Sequence, residues 1–419
     1  MPAGNGRRVA VVAGRRTPFC RSGTALKDVR AVDLARFVAR ELLERTDLAG
    51  AEVDAVIFGQ VVPSALVPNV AREVSLLPQF PKEIPAYSLN RACASSGQAV
   101  ANAHDEIVSG HADVVLAGGV ESLSDIPILA SRRLADILVE ASKAKSLGAR
   151  LRAFSRIRPR DLVPVSPAIA EPSTGESMGQ SAEKMAKENR ISREAQDRWA
   201  LRSHQLAARA TDDGRLGGEV APWFPPRPAD PVVASDNGIR RDTSLEQMAK
   251  LKPVFDRRYG SVTAANSSPL TDGASAVLLM SDAAARALGY TPLAYIRSYA
   301  VAAVDPGWQL LQAPIFAVPQ ALDRAGIGWR DLGVIEVHEA FAAQVLSNIQ
   351  GWAAKGWEIN EDLINVMGGS IAIGHPFGAT GARIVTTLAN EMVRRDAQFG
   401  LLSICAQGGM GFAMVLERR

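Results

Sequence analysis

The sequence predicts an α/β fold made of two similar halves, with a mostly helical domain inserted between them. Short apolar runs alternate with helix-length segments before residue 123. The order helix, strand, small-residue turn, helix, strand then recurs near the end of the chain. The stretch between these regions is basic and reads as helices and loops. We therefore expect a duplicated core whose halves present equivalent turns to one shared site.

The length of 419 residues is enough for two or three domains. We assign residues 1–122 to a first half that is completed by 253–288. Residues 123–252 form the inserted domain, and residues 289–419 form the second half.

The first half opens with alternating strands and helices. A strand is predicted over Arg8–Ala13, a helix over Ala31–Glu44 and a strand over Val53–Phe58. Val114–Ala117 is a further buried strand, which we expect the glycines 118 and 119 to close.

Cys93 lies on a sharp turn between an apolar approach and the predicted helix Ala99–Ile107. Small residues around it would let a substrate carbonyl approach the sulfur. The N-terminus of a helix offers unpaired N–H groups and a positive dipole end, which favour thiolate over thiol. A lone cysteine is more often a buried structural residue, so this turn leaves both interpretations open.

The inserted domain contains a basic helical stretch over 131–161, followed by helices at Ser181–Glu188 and Arg193–Thr211. The apolar positions of the basic stretch are Leu134, Ile137, Leu138, Ala141, Leu147, Leu151 and Phe154. Its basic positions are Arg132, Arg133, Lys143, Lys145, Arg150, Arg152, Arg156, Arg158 and Arg160. These charges fit a solvated helix face, or a surface that docks a partner or a membrane.

A polar loop over 260–274 follows the inserted domain and leads into an apolar strand, Ala276–Met280. Such a loop lines a ligand groove or lies at the surface. The second half then repeats the earlier order, with the helix Ala317–Ala325, the strand Gly333–Val337, the turn Ile371–Ala379, the helix Gly381–Arg394 and the strand Phe399–Ile404.

Composition excludes several classes of protein. The chain is 47% hydrophobic and 22% charged with a net charge of +3, which is ordinary for a globular protein and gives no basis for nucleic-acid binding. Three cysteines make no disulfide framework and indicate a reducing compartment. The apolar run Val9–Ala13 is too short for a signal peptide, and no segment has the length of a membrane span. We expect a cytoplasmic protein.

Two histidines and a second cysteine stand in contexts like that of Cys93. His338 and Cys405 each follow a buried strand, and His375 lies in a glycine-rich turn. No pair among these residues has the short spacing of a zinc site, so we expect no metal. A cysteine–histidine pair suits nucleophilic attack on an acyl carbonyl. The second cysteine distinguishes a carbon–carbon bond-forming acyltransferase, which needs another base, from a hydrolase.

Five motifs together resemble the thiolase family, in the family's order and over essentially the whole chain. They are the Cys93 segment Ser88–Gln98, Asn266-Ser267-Ser268 with Asp272-Gly273-Ala274, His338-Glu339-Ala340-Phe341, Gly374-His375-Pro376, and Cys405 to Gly411. The histidine of the His-Glu-Ala-Phe motif and the long basic insert are more similar to the degradative branch, in particular to the thiolase (β) subunits of fatty-acid oxidation trifunctional complexes. The resemblance implies two βαβαβαββ halves in a five-layered αβαβα arrangement.

The resemblance also implies roles for individual residues. Cys93 becomes acylated after activation by His375, and Cys405 protonates the departing acetyl-CoA carbanion. His338 and His375 form an oxyanion hole for the thioester enolate. The backbone N–H groups of Cys93 and Gln407 form a second hole for the tetrahedral intermediate; many relatives carry glycine where Gln407 stands.

Two further positions match substrate contacts of the family. Ser268 matches a position near the pantetheine arm of coenzyme A, and Met178 matches one beside the acyl thioester. Cys20 has no catalytic counterpart and is expected to be structural. No resident cofactor is implied, since coenzyme A is a substrate. The partners implied are coenzyme A, a 3-ketoacyl-CoA, further copies of the chain in a homodimer or homotetramer, and a hydratase/dehydrogenase subunit.

The function implied is CoA-dependent cleavage of a 3-ketoacyl-CoA to acetyl-CoA and a shortened acyl-CoA in fatty-acid β-oxidation. The alternatives are a biosynthetic acetoacetyl-CoA thiolase, which shares the same residues, and a non-catalytic thiolase-like binding subunit. A decarboxylating β-ketoacyl synthase on the same fold would carry histidine where Cys405 stands.

Overall fold

The computed structural model describes residues 6–165, 170–225, 227 and 229–419. The first half begins with an alternation of strands and helices, as the apolar spacing predicts. Its elements are β1 (Val9–Arg16), β2 (Cys20–Arg21), α1 (Ala31–Thr46), β3 (Ala55–Gly59), α2 (Val70–Ser75), β4 (Ala86–Leu89), α3 (Ser95–Val108) and β5 (Val114–Ser122).

Helices follow β5, and the chain then returns to the first half through a long strand. These elements are α4 (Arg132–Lys143), α5 (Leu147–Phe154), α6 (Met178–Glu188), α7 (Arg193–Asp212), α8 (Leu245–Ala249), β6 (Thr271–Ser281) and α9 (Asp282–Ala287). β6 pairs with both β5 and β1. It begins at Thr271 rather than at Ala276, because its polar first residues already bond to β5.

The second half repeats this pattern. Its elements are β7 (Ala294–Ala303), α10 (Pro314–Ala325), β8 (Leu332–Val337), α11 (Ala342–Ala353), α12 (Ser370–Ile373), α13 (Thr380–Arg394), β9 (Phe399–Ala406) and β10 (Met410–Glu417). No helix in the described ranges is long and apolar enough to cross a membrane.

The strands form one sheet in the order β4-β3-β5-β6-β1-β7-β10-β9-β8, with β2 beside the start of β6. The two halves of the sheet meet where β1 pairs with β7. Outward from this junction, the strand order is β1, β6, β5, β3, β4 in the first half and β7, β10, β9, β8 in the second half. β3 runs parallel to β5, and β8 runs parallel to β9. A single parallel bridge between Ile335 and Ile364 lies where the first half has β4. The predicted duplication is confirmed.

Helices α3 and α13 lie at the centre of the molecule. Side chains from both halves of the sheet pack with these two helices in one apolar core. A second core joins the first half of the sheet to α1 and α2, and a third joins the second half to α10 and α11. The layers are therefore helix, sheet, helix, sheet and helix, with the starts of α3 and α13 brought together in the middle.

The expectation that glycines 118 and 119 end a strand is wrong. β5 continues through both glycines to Ser122 and is buried along its whole length. A Cβ atom on Gly119 would lie 2.0 Å from the carbonyl oxygen of Gly378. The glycine therefore lets the turn that precedes α13 pack directly on the strand.

The α4–α5 hairpin (residues 132–154) buries less of its apolar face than its pattern predicts. Ile137 and Ala141 of α4 are buried together with Ala153 of α5 in a small separate cluster. Leu138, Leu147 and Leu151 are 45%, 72% and 59% exposed. The hairpin thus presents apolar and basic side chains together at the surface.

Candidate active site

The turn that carries Cys93 joins β4 to α3 and is fixed by its own polar groups. Ala92 has a left-handed φ of 45°, which points Cys93 away from the path of the strand. The Asn90 side chain accepts a hydrogen bond from the Ala92 N–H at 2.8 Å. Ser95 Oγ accepts from the Arg91 N–H at 2.9 Å and donates to the Ala92 carbonyl at 2.6 Å. The nucleophile candidate is therefore held on a rigid turn.

The thiol of Cys93 is protonated at rest, in contrast to the expectation from the helix end alone. Burial raises the pKa of Cys93 to about 12, and the nearby Glu121 carboxylate also raises it. The backbone N–H groups of Gln407 and of Cys93 itself face the sulfur and oppose this shift. Desolvation outweighs these donors, so the thiol keeps its proton and would need a base to act as a nucleophile.

His375 lies in the turn before α13, the counterpart of the Cys93 turn. Its Nδ1 is 2.7 Å from Thr380 Oγ1, and its backbone N–H donates to Thr271 Oγ1 at 3.0 Å. Burial and the nearby Arg383 lower the pKa of His375 to about 3. The ring is therefore neutral, and its buried Nε2 has no protein partner among the described residues.

His338 follows β8 and packs against His375, with 4.1 Å between the ring centroids. Its backbone N–H donates to the Ser403 carbonyl at 2.8 Å, and its Nδ1 is 2.9 Å from Ser370 Oγ. Burial and the neighbouring His375 lower the pKa of His338 well below its ordinary value. Its Nε2 is likewise buried without a protein partner in the described part of the chain.

Cys405 lies near the end of β9 and is 1% exposed. Burial and the proximity of Cys93 raise the pKa of Cys405 well above its ordinary value. It is therefore a thiol with a proton to give, beside the first thiol.

Three of the predicted residues form a tight cluster. One potential ligand atom from each of Cys93, His338 and His375 lies within 4.8 Å of the others. These residues are far apart in sequence and meet only in the folded chain. None of them forms a pair with the short sequence spacing that is typical of zinc sites. The same geometry suits a thiol with two flanking imidazoles, and the absence of a resident metal stays a prediction.

Known proteins share this fold. Residues 9–283 match the profile of the Thiolase, N-terminal domain, and residues 290–418 match that of the Thiolase, C-terminal domain. The chain belongs to the thiolase family. The expected enzyme class, an acyltransferase, and the expected fold are both confirmed.

Individual relatives cover nearly the whole chain. A 3-ketoacyl-CoA thiolase of Yersinia pestis is 50% identical over 98% of this chain and 97% of its own length. The human mitochondrial 3-ketoacyl-CoA thiolase is 35% identical with a TM-score of 0.86, and was also solved in complex with CoA. The acetyl-CoA acetyltransferase of Bacillus anthracis is 33% identical with a TM-score of 0.86. Both solved structures cover 98% of this chain and 98% of their own.

Gln407 stands where the family resemblance leads us to expect glycine, yet its backbone does not require one. The two residues after it, Gly408 and Gly409, have left-handed φ angles of 87° and 69°, whereas Gln407 does not. Its side chain donates to the Ala170 carbonyl at 2.7 Å, which turns the amide away and leaves the backbone N–H directed at Cys93.

Ser268 and Met178 both line the central pocket, a cavity of about 90 Å³ that also contains Cys93, His375 and Cys405 in its walls. The structure thus places every predicted site residue but His338 in the lining of one pocket. His338 packs against His375, and one of its potential ligand atoms lies within 4.8 Å of those of Cys93 and His375. The substrate-contacting roles of Ser268 and Met178 stay predictions.

Sequence reasoning missed a larger opening beside this pocket. The side cavity has a volume of about 580 Å³ and shares Val61, Ala92, Leu270, Phe377 and Gln407 with the central pocket. Its other walls are mainly apolar. They include Val62, Pro63, Leu123, Ile126, Pro127, Leu129 and Pro172.

The missed polar residues surround the histidines and the Cys93 turn. They are Glu121, Ser370, Thr380 and Arg383. Ser370 and Thr380 contact the histidine rings, Arg383 donates to Ser370, and Glu121 accepts from the Gly378 N–H. A single polar residue next to an apolar run gave no signal that could have singled them out.

Proposed function

We propose that this thiolase cleaves 3-ketoacyl-CoA thioesters with coenzyme A in fatty-acid β-oxidation, through an acyl-Cys93 intermediate. The names of the Yersinia and human relatives support this substrate class, and the human relative was solved with CoA. The arrangement of two thiols and two neutral imidazoles around one pocket supports the chemistry.

The observation that carries the choice of substrate is the side cavity. An acetoacetyl group is small enough to fit in the central pocket of about 90 Å³. It would leave the side cavity, a further 580 Å³ of mainly apolar space, without an acyl chain. We assign the side cavity to the acyl chain of a longer 3-ketoacyl group. The coenzyme A arm would then approach along Ser268 and Met178, on the other wall of the central pocket.

In the first half-reaction, His375 Nε2 takes the proton of Cys93 and the thiolate attacks the 3-keto carbonyl carbon. The N–H groups of Cys93 and Gln407 stabilise the resulting alkoxide. The bond between C2 and C3 then breaks, which leaves acyl-Cys93 and the enolate of acetyl-CoA. His338 and His375 stabilise the enolate oxygen, and Cys405 gives its proton to C2.

In the second half-reaction, the Cys405 thiolate takes the proton of an incoming CoA thiol. The CoA sulfur attacks acyl-Cys93, the shortened acyl-CoA leaves, and His375 returns its proton to Cys93. In this exchange the attacking group and the leaving group are both thiolates, so neither direction is favoured by a better leaving group. The site therefore has to stabilise oxyanions, which preorganised donors in a dry pocket do at about 10²–10³-fold each.

The test is CoA-dependent cleavage of a 3-ketoacyl-CoA series from short to long chains, with wild type, Cys93→Ala and Cys405→Ala. We expect activity on long chains and its loss in both variants. Activity confined to acetoacetyl-CoA would instead support the biosynthetic alternative, which the Bacillus relative's name favours. No activity on any chain would leave the non-catalytic alternative.

A pair of variants tests the assignment of the side cavity. Ile126→Trp, within the cavity, is expected to lower kcat/KM for long chains at least about tenfold while acetoacetyl-CoA cleavage stays near wild type. Ile128→Trp is the matched control, since Ile128 is 74% exposed and lies outside the cavity lining. Equal effects of the two variants would contradict the assignment.

We further propose that the α4–α5 hairpin docks a hydratase/dehydrogenase subunit or an anionic membrane surface. Its support is the exposure of apolar side chains beside basic ones. Arg156 pairs with Glu140 at 2.6 Å and holds the hairpin together, so charge reversal is best confined to Arg150 and Arg152. We expect Arg150→Glu with Arg152→Glu to weaken co-purification or liposome binding; unchanged results in both assays would overturn the proposal. We also propose that the protein forms a homodimer or homotetramer and is located in the cytoplasm.

A further inference from the structure

Two hydroxyl side chains contact the paired histidines, each at the Nδ1 atom of the ring. Thr380 Oγ1 lies 2.7 Å from His375 Nδ1, and Ser370 Oγ lies 2.9 Å from His338 Nδ1. The other ring nitrogen of each histidine, Nε2, is buried without a protein partner among the described residues. These two Nε2 atoms are the ones left for the substrate, so the proton each carries decides what it can do.

Thr380 has one hydroxyl proton, which it donates to the Pro376 carbonyl at 2.9 Å. A carbonyl oxygen only accepts, so this proton is committed there. The Thr380 oxygen must then accept a hydrogen bond from His375 Nδ1. His375 therefore carries its proton on Nδ1 and presents a lone pair at Nε2, as a base for the Cys93 thiol requires.

Ser370 is placed in the opposite situation. Its oxygen accepts a hydrogen bond from the buried Arg383 at 3.1 Å, and a guanidinium only donates. Ser370 is fully buried, and among the described residues His338 Nδ1 is the remaining partner for its hydroxyl proton. Ser370 therefore donates to Nδ1, which places the proton of the neutral His338 on Nε2.

We infer that Ser370 and Thr380 are positioning residues that hold the two histidines in opposite tautomers, so that His375 enters the reaction as a base and His338 as a hydrogen-bond donor. The inference rests on the proposed function and deepens it. Once His375 has taken the Cys93 proton, both Nε2 atoms carry hydrogen and both can donate to the enolate oxygen. Arg383 acts through Ser370, because it occupies the acceptor side of that hydroxyl.

The consequence is a division between two assays. Exchange of labelled CoA into an acyl-CoA needs Cys93 and His375 but forms no enolate, whereas thiolysis of a 3-ketoacyl-CoA needs both steps. Ser370→Ala should lower kcat for thiolysis about tenfold to a hundredfold and leave exchange within about twofold. Thr380→Val should lower both rates by a similar factor. Ser370→Thr and Thr380→Ser, which keep the hydroxyl groups, should restore the rates.

A direct measurement covers the case in which a variant folds poorly. In wild-type protein labelled with ¹⁵N-histidine, NMR should show a protonated Nε2 for His338 and a protonated Nδ1 for His375, assigned with His338→Gln. Equal loss of thiolysis and exchange in Ser370→Ala, or the same tautomer at both histidines, would overturn the inference. Absence of thiolysis in wild type would refute the proposed function, while the NMR result would still decide the tautomers.

Discussion

The two halves of the molecule present equivalent turns with opposite chemical tasks. In the first half, the turn before α3 carries Cys93, the proposed nucleophile, and uses a left-handed Ala92 to direct it to the pocket. In the second half, the turn before α13 carries His375, which is 3% exposed and bound at both its backbone and its ring. His338 and Cys405 also belong to the second half. The two halves thus provide two similar turns, and the proposed nucleophile lies in one half while the proposed acid–base groups lie in the other.

The largest effect should come from the first-half turn. Cys93→Ala is expected to lower thiolysis at least about 10⁴-fold, because the proposed acyl intermediate forms on the Cys93 sulfur, whereas Cys405, the other thiol of the pocket, is proposed to transfer protons. Initial rates with a 3-ketoacyl-CoA measure this. Cys20→Ala is the matched control, since this fully buried thiol lies outside the pocket and its removal should retain activity. Loss of activity in Cys20→Ala, or substantial activity in Cys93→Ala, would contradict the comparison.

The close approach of the two turns should be the next most sensitive feature. A Cβ atom on Gly381, in α13, would lie 2.2 Å from the backbone nitrogen of Gly97, in α3. Gly381→Ala is therefore expected to lower the free energy of unfolding by about 1–3 kcal/mol, measured by denaturant unfolding. Gly148→Ala in α5 meets no atom within 4 Å and should leave stability unchanged or raise it by up to about 1 kcal/mol. Equal destabilisation by both would argue against a tight contact between the helices.

Glu121 connects the two halves and should give a smaller, pH-dependent effect. Its carboxylate accepts hydrogen bonds from the Val61 and Val62 N–H groups of the first half and from the Gly378 N–H of the second, at 3.0–3.1 Å. Burial nevertheless raises the pKa of Glu121 from 4.5 to about 7. The folded protein therefore holds a proton that the unfolded chain releases, and the free energy of unfolding should fall as pH rises from about 4.5 to about 7.

Glu121→Gln removes this titration. The difference in unfolding free energy between wild type and variant should change across that pH window and be flat on either side. Denaturant unfolding at a series of pH values measures the difference, which also cancels the contribution of other buried acids. A difference that is independent of pH would show that the carboxylate is ionised throughout.

The smallest effect, none at all, is expected on metal removal. The cluster of Cys93, His338 and His375 has the geometry to hold an ion, yet the proposed reaction uses all three in other roles. Treatment with EDTA and 1,10-phenanthroline should leave thiolysis unchanged, and elemental analysis should find no stoichiometric zinc. Loss of activity that zinc restores would mean that the cluster is a metal centre.

The order of the elements, and which residues come together around the central pocket, were predictable from sequence, because apolar period and local motifs record them directly. Contacts through space were not. The sequence around Gly119 predicts the end of a strand. The glycine is needed instead for close packing against a turn more than 250 residues further along the chain, which the local sequence does not show. The apolar stripe of α4 and α5 predicts burial, but periodicity does not tell whether a partner is present to cover it. Ser370 and Thr380 acquire their importance only from the histidines that folding brings beside them.

One buried carboxylate limits how substrates reach this site. Glu339 accepts hydrogen bonds from Trp199 and Ser203 on α7 of the inserted domain, from the Asn365 side chain and from the Ile371 N–H, at 2.7–3.2 Å. Opening the inserted domain as a hinged lid would remove two of these four donors, Trp199 and Ser203, from the buried carboxylate. We therefore expect the flexible thioester to enter without an opening of the inserted domain. The rate of product release should then depend on the length of the acyl chain rather than on a domain motion.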